Sequence, residues 1–505
     1  MVGTPLFDKI LIANRGEIAL RVIRACHELG IQSAAVYSEA DRSALHVREA
    51  NEAYLIGPPP AARSYLDGDK IIAAAKACGA QAIHPGYGFL SENGAFASAV
   101  EQAGLVFIGP TGAQIRAMGD KIEARRLMQR IGVPVTPGTQ AAIDDLAALR
   151  RTAADLGYPV MIKATGGGGG KGIRIVGSPD ELQASFERAQ SEAASAFKNP
   201  AVYLEKLIDR PHHIEFQILG DGRGKVVQLG ERECSIQRRH QKVIEECPSP
   251  FMTPELRAAM GKAAVQAAAA IQYRNAGTIE FLVDAERRFF FLEMNTRLQV
   301  EHPITEEVTG VDLVREQLLI AAGQPLTTPD ETPMRGHAIE ARICAEDPDN
   351  NFAPAIGTVS NLDLPGGRGV RVDGSLYEGM EVSVHYDPLL AKLIVRGNDR
   401  EQAVARMRRA LTELRLTGVH TNIAFLLGIC ETDAFARGLY HTGFIDEQRS
   451  SIARAPSLRE RRDVALAAAV LRTLAKGQAA AAGNGAGGAS LDPWTFAARR
   501  EQLRI

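Results

Sequence analysis

The chain has 505 residues, 45% hydrophobic and 23% charged, with a formal net charge of −2. That length allows about three domains, and the near-neutral balance excludes a global field suited to nucleic acid or an anionic membrane. No run of about 18 apolar residues predicts a membrane span. The N-terminus lacks the basic segment, apolar stretch and cleavage site of a signal peptide. Six cysteines (Cys26, Cys78, Cys234, Cys247, Cys344, Cys430) show no C-x-x-C spacing. They argue against a zinc site or disulfide framework and predict a reducing, cytoplasmic setting.

In chain order, KILIA near residue 9 reads as a short buried strand. Gly16 to Leu29 carries helical spacing (Ile18, Val22, Ala25, Leu29) and stops at Gly30. SAAVY is the next strand, and KIIAAAKACGAQAIHPGYG repeats helix, glycine, strand, so residues 1–115 predict a parallel α/β domain. One glycine follows the first strand where G-x-G-x-x-G would be needed, which disfavours a dinucleotide.

From 116 to 330 the pattern becomes α+β with mainly antiparallel strands. DKIEARRLMQRIGVP is a helix closed by glycine and proline. YPVMIKA, GIRIV, AVYLEKLI, HIEFQILG and KVVQLGERECS read as strands, TPELRAAMGKAAVQAAAAI as a helix, and AGTIEFLVDAERRFFFLEMNTRL as a hairpin. Residues 331–450 add strands around HAIEARICAE and LLAKLIV and a helix at EQAVARMRRALTEL. A tail, 451–505, holds an expected helix, a Gly/Ala linker and the only tryptophan, Trp494.

KATGGGGGKGIRIV, Lys163 to Val176, fails the Walker pattern twice: with Lys171 as its lysine, Thr165 stands for glycine and Gly172 for Ser or Thr. The β-branched IRIV that follows reads as a strand, so the glycines, Gly169 and Gly170 among them, predict a turn able to fold over a nucleotide as a flap. A turn near 285–287 would set Glu280 opposite Glu293 in the hairpin. Those two carboxylates with the Asn295 amide suit Mg²⁺ or Mn²⁺. Arg297 and Glu301 follow as a fixed cation and a general base, or else as a helical i,i+4 salt bridge. Gln237, Arg238, Arg239, His240 and Lys242 read as a local basic patch for phosphate or bicarbonate, with a solvated loop as the bland alternative. Cys234 beside it reads as a packed thiol. Lys163 ends an apolar strand and Lys121 starts a helix; both oddities vanish beside ATP phosphate, and the strand at Glu205 and Lys206 could bond an adenine edge.

KILIANRGEIALRVIRACHELGI, IHPGYGFLSEN, MGDK, KATGGGGGKGIRIV, QRRHQKVIEE and FLEMNTRLQVEHPITE together resemble the biotin carboxylases, from about residue 5 to 447. The resemblance implies an ATP-grasp fold: an N-terminal parallel α/β (pre-ATP-grasp) domain at 1–115, a central ATP-grasp domain at 116–330 with a mobile lid at about 135–206, and a C-terminal biotin carboxylase domain at 331–450. It implies that ATP phosphorylates bicarbonate to carboxyphosphate, which yields CO₂ for the ureido N1′ of biotin. By the same resemblance Lys121, Lys163, Gly169, Gly170, Glu205, Lys206, Leu207, His213, Gln237 and His240 border ATP. Glu280, Glu293 and Asn295 hold the metal. Lys242, Arg297, Gln299 and Val300 hold bicarbonate, and Glu301 deprotonates it. Arg342 stabilises the biotin enolate, with Tyr87 and Gly88 beside it. No Met-Lys dipeptide occurs in the 505 residues, so the biotin is expected on a separate carrier protein. Carboxyltransferase subunits and a homodimer complete the expected assembly, most commonly an acetyl-CoA carboxylase, with a propionyl-CoA or pyruvate carboxylase as the alternative and another ATP-grasp carboxylate–amine ligase as a more distant one. The tail beyond 450 is a candidate docking segment for such partners.

Overall fold

The computed structural model describes residues 6–452, apart from 140, 144, 166–172 and 198, and the isolated positions 466 and 470. The pentaglycine run with Gly169 and Gly170, the Gly/Ala linker and Trp494 lie outside the described residues. Met1–Ile452 is one compact unit.

Strand β1 (Lys9–Ile12) is apolar enough to be buried on both faces, and Ile10, Leu11 and Ile12 are fully buried. Helix α1 (Gly16–Glu28) packs Ile18, Val22 and Ile23 inward and gives way to Gly30, whose φ of +73° suits glycine. Strands β2 (Gln32–Ser38), β3 (Glu52–Gly57), β4 (Ala82–His84) and β5 (Val106–Phe107) complete a parallel sheet in the order β3-β2-β1-β4-β5. The order reverses between β1 and β4, which opens a crevice at their carboxyl ends. There Asn14 Nδ2 donates to the carbonyls of Pro85 (2.7 Å) and Tyr87 (2.8 Å), fastening the two loops together. Gly86 permits this approach: at φ +63°, a Cβ would lie 2.8 Å from Asn14 Nδ2.

Helix α2 (Lys121–Arg130) is capped by Asp120, which accepts from the backbone N–H groups of Ile122 and Glu123. A small antiparallel sheet follows, with order β7-β6-β8, from β6 (Val160–Ala164), β7 (Ile173–Val176) and β8 (Val202–Lys206).

Strands β9 (His212–Asp221), β10 (Val226–Arg238), β11 (Gln241–Cys247), β12 (Arg274–Val283), β13 (Phe289–Asn295), β14 (His337–Cys344), β15 (Val370–Gly374) and β16 (Leu389–Gly397) form one antiparallel sheet in the order β13-β12-β9-β10-β11-β14-β16-β15. The sheet therefore takes strands from both sides of residue 331. The hydrophobic pattern marks strands at 337–344 and 389–397 but cannot tell which edge they join. Helix α3 (Pro254–Ala270) lays small residues, Ala264, Ala267 and Ala268, against Phe216, Ile218 and Phe281 on one face of this sheet. Burying each such phenylalanine contributes roughly 1.5–3 kcal/mol. Helix α4 (His302–Thr309) packs against β10, β11 and β14, and α5 (Arg400–Glu413) lies on β16. Among the described residues no helix is long and apolar enough to cross a membrane.

Candidate active site

Four neighbouring strands carry a transverse row of charge. Glu293 on β13 pairs in register with Glu280 on β12, Glu280 with Glu215 on β9, and Glu215 with Arg232 on β10. Cross-strand partners share a face, and like charges in such positions repel. Basic side chains outside the row lie against them. Lys242 Nζ reaches Glu215 (2.6 Å), Glu280 (2.9 Å) and Glu301 (2.6 Å). His213 lies 3.1 Å from Glu280, and Lys121 at the start of α2 lies 3.3 Å from Glu293. Arg232 is fully buried and spends its guanidinium on Glu215, Gln217, Thr305 and Thr278. Burial pushes the Glu280 carboxyl up, but Lys242 and His213 overrule it and hold it well below the usual carboxylate range.

Glu301 is the residue before α4, fully buried, with Oε1 on Lys242 and Oε2 3.0 Å from Arg342. Against burial, Lys242, Arg342 and Arg232 keep it ionised, well below its ordinary range. The helical Arg297–Glu301 salt bridge does not form, because the helix begins only at His302. Arg297 instead turns to Glu92 (2.8 Å), Gln299 (3.0 Å) and Asn295 (3.2 Å). Gln299 Nε2 reaches Glu280 at 3.4 Å, and the Val300 carbonyl accepts from Lys392 at 3.0 Å. Arg342 on β14 also grips Glu245, at 2.5 Å. Lys242, Gln299, Glu301, Arg342 and the Glu280 carboxylate thus converge on one site.

On the side of the small sheet, Lys163 is buried and paired with Glu205 at 2.5 Å. The other oxygen of Glu205 meets Arg125, which also donates to the Thr136 carbonyl at 2.7 Å. Lys206 Nζ turns away to the Gly157 carbonyl (2.8 Å), and the Leu207 N–H donates to the Pro159 carbonyl (3.3 Å). The stretch at 237–242 is not one basic patch. Arg239 and His240, at φ +51° and +64°, form the two-residue turn between β10 and β11. Arg238 pairs with Glu346, Arg239 with Asn351, Gln237 with His213, and only Lys242 enters the charged row. The turn places His240 near Lys163 and His213; burial first, then those two groups, lowers its pKa. The Cys234 thiol is fully buried and pushed well up by that burial, as suits a packed thiol. Tyr87 donates its hydroxyl to Glu17, and Gly88 follows at φ +66° in the crevice loop.

Glu280, Glu293 and Asn295 offer hard oxygen donors of the kind that Mg²⁺ takes. Glu280 and Glu293 face each other across the hairpin, and Asn295, two residues on, presents an Oδ1 that accepts from Arg297 at 3.2 Å. The donor set therefore fits a divalent cation. Sequence reasoning missed Glu215, Arg232, Glu92, Arg125 and Glu245. The signal for Glu215 was present: His213, Glu215 and Gln217 alternate with apolar residues along β9, which marks a polar face inside a buried strand.

Three family models match in succession: the biotin carboxylase N-terminal domain at residues 6–115, the carbamoyl-phosphate synthase L chain ATP-binding domain at 120–329, and the biotin carboxylase C-terminal domain at 340–447. The chain is 55% identical to a biotin carboxylase of Nostoc, across 87% of this chain and 99% of that one. It is 55% identical to a pyruvate carboxylase subunit of Methanothermobacter thermautotrophicus, across 88% and 91%. Among solved structures it resembles the biotin carboxylase domain dimer of 2-oxoglutarate carboxylase from Hydrogenobacter thermophilus, in complex with MgADP, ADP and bicarbonate. That likeness has a TM-score of 0.86 at 48% identity and covers 89% of this chain and 99% of that one. By sequence and by fold alike, the chain belongs to the biotin carboxylase family, ATP-dependent ligases that use Mg²⁺ and carrier-bound biotin.

Proposed function

We propose that this chain carboxylates biotin on a separate carrier protein, using bicarbonate and ATP by way of carboxyphosphate. The observation that carries this reading is the buried Glu301 carboxylate, held between Lys242 and Arg342 beside the carboxylate row. In the proposed reaction Glu301 takes the bicarbonate proton, and the freed oxygen attacks the γ-phosphorus of ATP as its bond to ADP breaks. Lys242, Arg297, Gln299 and Val300 orient the bicarbonate. Lys121, Lys163 and His240 face the phosphates, and Glu205, Lys206, Leu207, His213 and Gln237 border the rest of the nucleotide. Mg²⁺, held by Glu280, Glu293 and Asn295, would offset charge on the phosphate oxygens. Arg342, with Tyr87 and Gly88 nearby, serves biotin.

The carrier is proposed as a separate protein, in keeping with the chain's coverage of 99% of the Nostoc biotin carboxylase. For the final acceptor the proposal is acetyl-CoA, with a carboxyltransferase partner and a carboxylase subunit that forms homodimers. The 55% identity to the Methanothermobacter pyruvate carboxylase subunit favours pyruvate as the second reading. The test is ADP release by the purified chain, with bicarbonate and with or without free biotin. Bicarbonate dependence and stimulation by biotin are expected, and ADP release driven by an amine instead would reject the reading. Purifying the native complex and assaying acetyl-CoA against pyruvate separates the two acceptors.

A further inference from the structure

Glu245 on β11 and Glu340 on β14 are directly opposed in register, and both are fully buried. Their side chains share one face, with Cβ atoms about 5 Å apart. Glu245 commits Oε1 to Arg342, at 2.6 Å from Nε. Among the described residues its Oε2 has no hydrogen-bond partner, and neither oxygen of Glu340 has one. Three carboxylate oxygens on two facing residues are therefore buried without a donor among the described residues.

The cations around them are already committed. Arg342, two residues along β14, is shared between Glu245 and Glu301. Lys392 on β16, the other cation acting on Glu340, is held by Glu17 of α1 (3.1 Å), the Val300 carbonyl (3.0 Å) and, more distantly, Asp373 of β15 (3.9 Å). His302 of α4 is buried and held neutral by burial and by the charges of Lys392, Arg21 and Arg371, so it brings no charge of its own. Two ionised carboxylates in this position would repel each other and leave their lone pairs unmatched. A single proton between them removes the repulsion and joins two of the three oxygens, since a carboxylic acid supplies a donor.

We propose that Glu245 and Glu340 form a carboxyl pair that holds one proton, and that this proton lets Arg342 keep Glu301 as its second partner. Glu340 touches neither Glu301 nor Arg342 through a hydrogen bond, so it is a positioning residue. Loss of the proton adds a second negative charge beside the guanidinium, which then has a competitor for its bond to Glu301. Burial, opposed only in part by Lys392 and Arg342, raises Glu340 well above the usual carboxylate range. It takes Glu245 to about 7. The proton is thus retained around neutrality and lost on the alkaline side. The proposal rests on the roles given above to Glu301 and Arg342.

Infrared spectroscopy of the whole chain, unaltered and as Glu340→Gln, tests the shared proton. The expected result is a protonated-carboxyl stretch at pH 7 that loses intensity in the variant. Glu17, raised to about 7 by burial, contributes to the same band, so the difference between the two proteins is what counts. An identical band in both would overturn the proposal. The positioning role is read from kcat/KM for biotin against pH. The alkaline decline of the unaltered enzyme should move upward by about one pH unit or more, or vanish, in Glu340→Gln. Parallel profiles with a changed melting temperature would show a packing role only and reject it. Should the variant fail to fold, an atomic-resolution crystal structure of the unaltered protein decides. One long and one short C–O bond in Glu245 or Glu340 supports the pair, and equal bonds in both refute it. Absence of biotin-stimulated ATP hydrolysis by the unaltered chain would reject the functional reading alone, and the infrared and bond-length results would still decide the shared proton.

Discussion

Glu280 and Glu293 stand opposite each other on neighbouring antiparallel strands, yet each is held by a different cation: Lys242 at 2.9 Å for the first and Lys121 at 3.3 Å for the second. One lysine comes from β11 in the same sheet and the other from the start of α2. A divalent cation between the carboxylates would take over part of the work of both. Glu293→Gln removes one hard donor and should raise the Mg²⁺ concentration needed for half-maximal ADP release by at least about tenfold. A titration of Mg²⁺ at fixed ATP measures this, and an unchanged midpoint would remove Glu293 from the metal site.

Glu301→Gln keeps the shape of the side chain and removes its basicity. Bicarbonate-dependent turnover should fall about 10²–10⁴-fold, the usual contribution of a positioned base. ATP binding, followed by calorimetry, should persist because the role proposed for Glu301 is on the bicarbonate side of the site. Ordinary turnover in this variant would count against the base assignment.

Arg342→Ala separates the two halves of the chemistry. The rate with biotin should drop more than the bicarbonate-dependent ATPase without it, since the role proposed for the arginine is on the biotin side. Equal losses in both assays would instead point to a general effect on Glu301, with which Arg342 pairs at 3.0 Å.

Arg232→Met tests the buried end of the carboxylate row. Glu215 would keep Lys242 but lose its guanidinium partner, in a place with no solvent. Breaking such a pair costs about 3–5 kcal/mol. Urea unfolding should show it as a lower midpoint, and a loss below about 1 kcal/mol would mean that Lys242 alone can balance Glu215.

Acid stability should depend on Glu246. Burial raises this carboxyl, but His337 at 2.5 Å and the guanidinium of Arg400 at 2.8 Å outweigh it and bring it down to about 2 from 4.5. A depressed folded-state value stabilises the native state fully above the unfolded value, and that contribution is lost as pH falls from about 4.5 to about 2. It is worth about 3 kcal/mol. Glu246→Gln should flatten the fall of the urea midpoint across that window, and a slope equal to the unaltered protein's would refute the assignment.

Local chemistry determined a good deal by sequence alone. The apolar residues of KILI and TIEFLV mark strands whatever surrounds them, and the spacing of Ile18 and Val22 with Gly30 beyond marks a helix and its end. The hairpin's short turn sets Val283 opposite Phe289 and brings Glu280 close to Glu293, while a bulge between Glu280 and Phe281, which no local pattern announces, brings the two carboxylates level. The family likeness, too, was legible in six short motifs. The tertiary structure alone decided partners that are far apart in the chain. Lys242 meets Glu301 across 59 positions, Arg297 chooses Glu92 over Glu301, and strands β14, β15 and β16 extend the central sheet instead of building another. Sequence periodicity reports which face a residue takes, while the choice of neighbour depends on how sheets and helices dock. That docking is fixed by burial summed over the whole core, a quantity no local pattern contains.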